Sequence, residues 1–96
     1  MATRSEVELF LNQFKVKLEI WDRLNVVKSI EVEDYSEGPI KDQLNGFGEM
    51  WVFGKDIDGH EMYIKITLGH PGTNTICISF HIAEYPMQYP LKIKEE

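Results

Sequence analysis

Residues 51–66 read WVFGKDIDGHEMYIKI: an apolar alternation, a break at Asp58-Gly59, and a second alternation. Two strands joined by a short turn explain that pattern, and their register decides which side chains meet. A two-residue Asp58-Gly59 turn pairs odd positions with even ones, sets Lys55 beside Met62 and mixes aliphatic with charged side chains on both faces. A three-residue loop, Ile57-Asp58-Gly59 with Gly59 in the left-handed conformation of a bulge, pairs odd with odd. The second register is the expectation, because it sorts the faces by chemistry. Met50, Val52, Met62, Ile64 and Ile66 then form an aliphatic face, and Trp51, Phe53, Lys55, Tyr63, Lys65 and Thr67 lie on the other.

Working outward, the strands run over Met50–Lys55 and Glu61–Leu68, and a third over Thr75–His81 follows the turn GHPGTN (69–74). Ile76, Ile78 and Phe80 must join the aliphatic face, which forces odd-with-odd pairing in this hairpin too. With its loop centred near Gly72, Tyr63 lies opposite His81 and Lys65 opposite Ser79. Beyond it, AEYPMQYP (83–90) carries two prolines and reads as a tail or short edge segment.

Toward the N-terminus, Ser5-Glu6-Val7-Glu8 fits a capping box and predicts a helix start. Val7, Phe10, Leu11, Phe14, Leu18 and Trp21 follow at three- and four-residue steps, an apolar stripe that needs a sheet to cover. Asn25 to Ile30 is a short apolar piece. EVEDYSEGP (31–39) is polar and ends in the breaker Gly38-Pro39, and KDQLNGFGE (41–49) reads as loop. The expected fold is therefore α+β, an N-terminal helix packed on a small antiparallel β-sheet, in a single domain over residues 1–96.

Composition narrows the function classes. The chain has 96 residues, 43% hydrophobic and 27% charged, with no repeat or low-complexity tract. It has no signal-like N-terminus and no apolar run long enough to span a membrane, so the expectation is a soluble cytoplasmic protein without a membrane partner. The one cysteine, Cys77 between two isoleucines, is expected to be a small buried hydrophobe. A net charge of −6 argues against a sequence-independent grip on nucleic acid, though lysines and histidines recur from Lys55 to His81. His60, His70 and His81 are far apart and lack zinc-like spacing, so neither a metal site nor a cofactor is expected.

The face away from the helix would carry Tyr63, Lys65, Ser79 and His81, with Lys55, Trp51 and Phe53 alongside. A histidine moves protons near neutral pH, a lysine neutralises charge on a phosphate, a tyrosine donates a hydrogen bond, and Trp or Phe stacks on an unpaired base. Those are the parts of metal-independent RNA cleavage, in which a 2′-hydroxyl attacks the adjacent phosphate. Each has a plainer reading. Lys55 and Lys65 also fit the solvated side of a half-buried strand, and Trp51 and Phe53 fit a second small core under the 83–90 tail.

DYSEGP (34–39), WVFGKDIDGHEMYIKI (51–66) and ICISFHIAEYPMQYP (76–90) resemble the MqsR-family toxins of type II toxin-antitoxin systems, within the wider RelE-like group. The resemblance implies a RelE-like helix-plus-sheet fold and an mRNA interferase that acts without metal. It also implies a cognate antitoxin, commonly a helix-turn-helix DNA-binding protein. Carried over by residue, Tyr63 matches an active-site Tyr, and His81 stands where the best-known members have Lys. A histidine titrates nearer neutrality than a lysine, which suits acid-base work. The family's other active-site Lys and Gln fall near Ser36 or Glu37 and near Val52, so neither is kept in kind, and Lys65 or Lys55 would have to supply the cation. Similar sequences also carry an additional loop and second helix where Val27 here meets Lys28, so a short variant or an omitted stretch is expected at that junction.

The functional expectations are an endoribonuclease with His81, Tyr63 and Lys65 catalytic and Lys55, Trp51, Phe53 and Ser79 holding RNA, or a non-catalytic protein- or RNA-binding module of the same fold. A third is an inert structural partner, whose mark would be a large exposed apolar patch.

Overall fold

The computed structural model describes residues 2–18, 28–41, 49–67 and 77–92. Helix α1 spans Arg4–Leu18. After a 3-10 turn at Val32–Asp34 come four strands: β1 Tyr35–Lys41, β2 Glu49–Ile57, β3 His60–Thr67 and β4 Cys77–Ile82. They form one sheet in the order β1-β2-β3-β4, each pair antiparallel. The architecture is thus α+β, one N-terminal helix and a four-stranded antiparallel sheet.

The helix begins two residues earlier than the Ser5 capping box predicts. Thr3 is the cap: its Oγ1 accepts the Glu6 N–H at 3.2 Å while Glu6 Oε1 accepts the Thr3 N–H at 3.1 Å. The same logic operates with Thr3 and Glu6 in the roles expected of Ser5 and Glu8. The predicted stripe is buried at Val7, Phe10, Leu11 and Phe14. Trp21, the side chains of Leu18 and Cys77, residues 25–27 with Val27 of the Val27–Lys28 junction, and the loops 42–48 and 68–76 with His70 lie outside the described residues.

The β2–β3 register is where the structure departs most from expectation. Trp51 pairs with Ile66, Phe53 with Ile64, Lys55 with Met62 and Ile57 with His60, which is odd with even. Asp58 and Gly59 both have positive φ, 53° and 82°, the two-residue type I′ turn that an Asp-Gly pair favours because its twist matches the strands. Asp56 Oδ1 accepts the Gly59 N–H at 3.0 Å and closes the turn.

That one-residue difference exchanges the two faces of β2. Trp51 and Phe53 turn toward the helix, and Val52 and Gly54 turn away. Phe10 stacks on Trp51 with ring centroids 4.6 Å apart and lies 5.8 Å from Phe53; Tyr35 meets Phe53 edge-on at 6.2 Å. Trp51 and Phe53, expected to face RNA, are 7% and 0% exposed in this core. Burying aromatic area next to Phe10 and Phe14 outweighs the tidier sorting of faces, since each such ring removes 150 Å² or more from water.

Lys55 moves with them. Its ammonium donates to the Ser29 carbonyl at 3.1 Å and pairs with Asp34 Oδ2 at 3.0 Å, so it fastens the 3-10 turn rather than facing the Tyr63 side. The stretch read as polar and broken is in fact edge strand β1, with burial alternating from Tyr35 onward. Pro39 is tolerated there because an edge strand has one side without ladder partners. β3–β4 has the expected register, Tyr63 opposite His81 and Lys65 opposite Ser79. Ile78 packs on the core, while Phe80 and Ile82, farther along the edge strand, are exposed.

Phe53→Ala removes a fully buried ring and should cost about 3–5 kcal/mol in urea unfolding. Replacement of exposed Val16 by Ala should change the midpoint little.

Candidate functional site

On the sheet face away from α1, the side chains of β3 and β4 stand in a ladder: Glu61, Tyr63 and Lys65 on β3, Ser79 and His81 on β4. Tyr63, Lys65 and His81 of this ladder, together with Glu37 of β1 and Val52 of β2, floor a cleft of about 670 Å³. Val52 is fully buried yet lies outside the helix-side core, so it is the apolar floor of this cleft. The segment Ala83–Gln88 forms the facing wall.

Tyr63 and His81 are directly cross-strand, and their rings stack with centroids 4.7 Å apart and planes 13° from parallel. The His81 Nδ1–H donates to the Ile82 carbonyl at 3.0 Å. Because a carbonyl only accepts, the neutral ring carries its proton on Nδ1 and presents Nε2 as a base. Burial, and then the carboxylate of Glu37, push the Tyr63 hydroxyl above its ordinary value. At neutral pH it is therefore a hydrogen-bond donor rather than a phenolate.

The wall is tied to one residue. Ala83 N–H donates to the Glu61 carbonyl at 2.8 Å, Met87 N–H to Glu61 Oε1 at 2.9 Å, and the Tyr89 hydroxyl to Glu61 Oε2 at 2.6 Å. The Tyr89 hydrogen bond first, then that from Met87, hold the Glu61 carboxyl below its ordinary value. Burial, and then the same bond, push the Tyr89 hydroxyl well above the usual range. Gly54 makes room: a Cβ there would collide with Tyr89 Oη and lie 2.9 Å from Met87 Sδ. At the far end, Arg4 donates to the Leu91 carbonyl at 3.4 Å and pairs with Glu33 and Glu8, fastening strap, turn and helix together.

The structure therefore brings three of the predicted residues, Tyr63, Lys65 and His81, into one cleft, with Ser79 exposed beside Lys65 on the same ladder. It places Trp51 and Phe53 in the opposite core and Lys55 on Asp34. Sequence reasoning missed Glu37, because Gly38-Pro39 had ended any strand there, and the 83–88 wall, which has no periodicity to read. Register shifts between Tyr35 and Glu37 and between Glu37 and Ile40 break the period of two in β1, so no clean alternation marks the strand. Among the described residues no three His, Cys, Asp or Glu side chains converge as a metal site would require, and no helix is long and apolar enough to cross a membrane. No protein-family model, curated protein or solved structure matches the chain.

Two outcomes follow. Glu61, with its folded-state pKa lowered, stabilises the strap at pH values above the ordinary carboxylate range. That contribution disappears as pH falls through the folded-state value. Hydrogen exchange at the Met87 amide should accelerate on acidification in the wild type and be fast and pH-insensitive, after correction for intrinsic exchange, in Glu61→Gln. Gly54→Ala should displace the strap and speed the same amide while leaving exchange in β3 slow.

Proposed function

We propose that this chain is an endoribonuclease that cleaves single-stranded RNA without a metal, a RelE-like toxin of the cytoplasm held in check by a cognate antitoxin. The observation that carries the reading is the stacked Tyr63–His81 pair, with Lys65 one rung away in the same cleft. Nε2 of neutral His81 takes the proton of a 2′-hydroxyl as its oxygen attacks the adjacent phosphorus. The Tyr63 hydroxyl donates to a non-bridging oxygen and so orients the scissile group. The Lys65 ammonium offsets the charge of the phosphorane and supplies the proton with which the 5′-oxygen departs. The bond to the 5′-oxygen breaks, and a 2′,3′-cyclic phosphate remains.

Lys55 has no part in this scheme, so Lys65 carries the cationic role in the cleft. The resemblance of the 34–39, 51–66 and 76–90 segments to MqsR-family toxins supports the assignment and the antitoxin partner. Exposed Phe80 and Ile82 on the other face of β4 are apolar surface of the kind a protein partner covers. The carboxylates of Glu37 and Glu84 oppose the phosphate charge that cleavage would concentrate in the cleft, which favours a second reading, a non-catalytic protein- or RNA-binding module of the same fold.

The test is incubation of the purified chain with a defined RNA in EDTA. Products ending in a 2′,3′-cyclic phosphate are expected, with His81→Ala slower by about 10²–10⁴-fold and folded as judged by circular dichroism. RNA retarded but uncut by the wild type would establish the binding module instead.

A further inference from the structure

An acidic chain that engages RNA faces a particular difficulty. Affinity for nucleic acid ordinarily comes from Lys and Arg displacing counterions from phosphates. The net charge here is −6, and the cleft sets Lys65 against Glu37 and Glu84. Non-electrostatic contacts have to supply most of the grip. For unpaired bases the main one is stacking on an aromatic face, which is tolerant of sequence because every base has such a face.

Of the aromatic side chains around the cleft, Tyr63 is covered on one face by His81, and Tyr89 lies against Gly54 with its hydroxyl on Glu61. Tyr85 differs from both. It lines the cleft and is 78% exposed. A solitary exposed tyrosine is ordinary on a protein surface, but this one stands on a braced loop. Residues 84–86 are closed between Ala83 and Met87, whose amides both donate to Glu61, one to its carbonyl and one to its carboxylate. Pro86 further limits the backbone. The ring is thus presented by a loop whose ordering has already been met by folding, which lowers the entropic cost of binding against it.

The path for a strand continues past it. A second groove shares Ser36, Glu37 and Gln88 with the cleft and runs along β1 to Pro39, with Lys92 at its far side. One lysine in each groove, Lys65 and Lys92, offers an extended chain a phosphate contact on a track that also carries the Glu37 carboxylate.

We propose that Tyr85 is the stacking platform for an unpaired base next to the phosphate held in the Tyr63–Lys65–His81 cleft. The claim rests on the endoribonuclease reading for its substrate class, single-stranded RNA, and is tested separately from cleavage. The probe is a short fluorescent 2′-O-methyl oligoribonucleotide, which lacks the attacking hydroxyl and cannot be cut. Its binding to the wild-type chain is followed by anisotropy, beside a series in which one base at a time is abasic.

Tyr85→Ala should weaken binding about 5- to 150-fold, the size of one stacked base, while Tyr85→Trp keeps it and both variants melt like the wild type. Removing one particular base should cost the wild type a similar factor and cost Tyr85→Ala almost nothing. The logarithm of affinity should fall against the logarithm of salt with a slope of about −0.7 to −1.4, as one or two phosphate contacts give. Wild-type binding left unchanged by Tyr85→Ala, or no binding at all, overturns the platform. Binding that depends on Tyr85 beside an unmodified RNA that stays uncut upholds the platform and removes the cleavage reading; cleavage indifferent to Tyr85 does the reverse.

Discussion

The type I′ turn at Asp58-Gly59 is the constraint on which the rest of the molecule depends. Two consecutive residues with positive φ bring β2 and β3 into odd-with-even register, and the pleat then assigns every side chain of β2 to a face. Trp51 and Phe53 go to the helix, where Phe10 and Phe14 complete an aromatic core with Tyr35. Val52 and Gly54 go to the opposite face, one as an apolar floor and the other as a notch. A bulged loop one residue longer would have lined the cleft with indole and phenyl rings and left α1 packed on valine and methionine.

Glu61 is the second organising point. Its backbone and carboxylate accept three hydrogen bonds from the 83–89 segment, which pairs with no strand among the described residues. The notch at Gly54 lets the Tyr89 ring lie flat enough to reach that carboxylate. Turn and strap are therefore coupled: the register that turns Gly54 outward is what gives the cleft its wall. The cleft that results is sparing in positive charge, which makes the shape of the wall and the aromatic ring it carries more consequential than they would be in a basic protein.

Much of this is legible in the amino-acid sequence alone. The apolar stripe of α1 was visible because helical periodicity is local, and Val7, Phe10, Leu11 and Phe14 are buried as their spacing requires. The cross-strand meeting of Tyr63 with His81 was visible too, because Ile78 and Phe80 had to share a face with Ile64 and Ile66 whatever the loop did. The faces of β2 were not. Its odd positions include Trp51 and Phe53 and its even positions Met50 and Val52, so hydrophobicity does not separate them, and a preference for faces of uniform chemistry favours the wrong register. The Asp-Gly dipeptide was the better guide, because it acts on the backbone directly. Lys55 shows how the mixed face is tolerated: its ammonium leaves the core at the sheet end and finds Asp34.

By itself, then, the sequence determined the class of the fold, the buried face of the helix and the pairing that stacks Tyr63 on His81, since each follows from a repeat of side chains along one or two neighbouring segments. Only the tertiary structure decided that Trp51, Phe53 and Lys55 leave the candidate site and that Glu37 and the 83–88 strap enter it. Those outcomes turn on volumes filled and hydrogen bonds made between residues distant in the chain, such as Tyr89 with Glu61 and Phe10 with Trp51, and no periodicity records them.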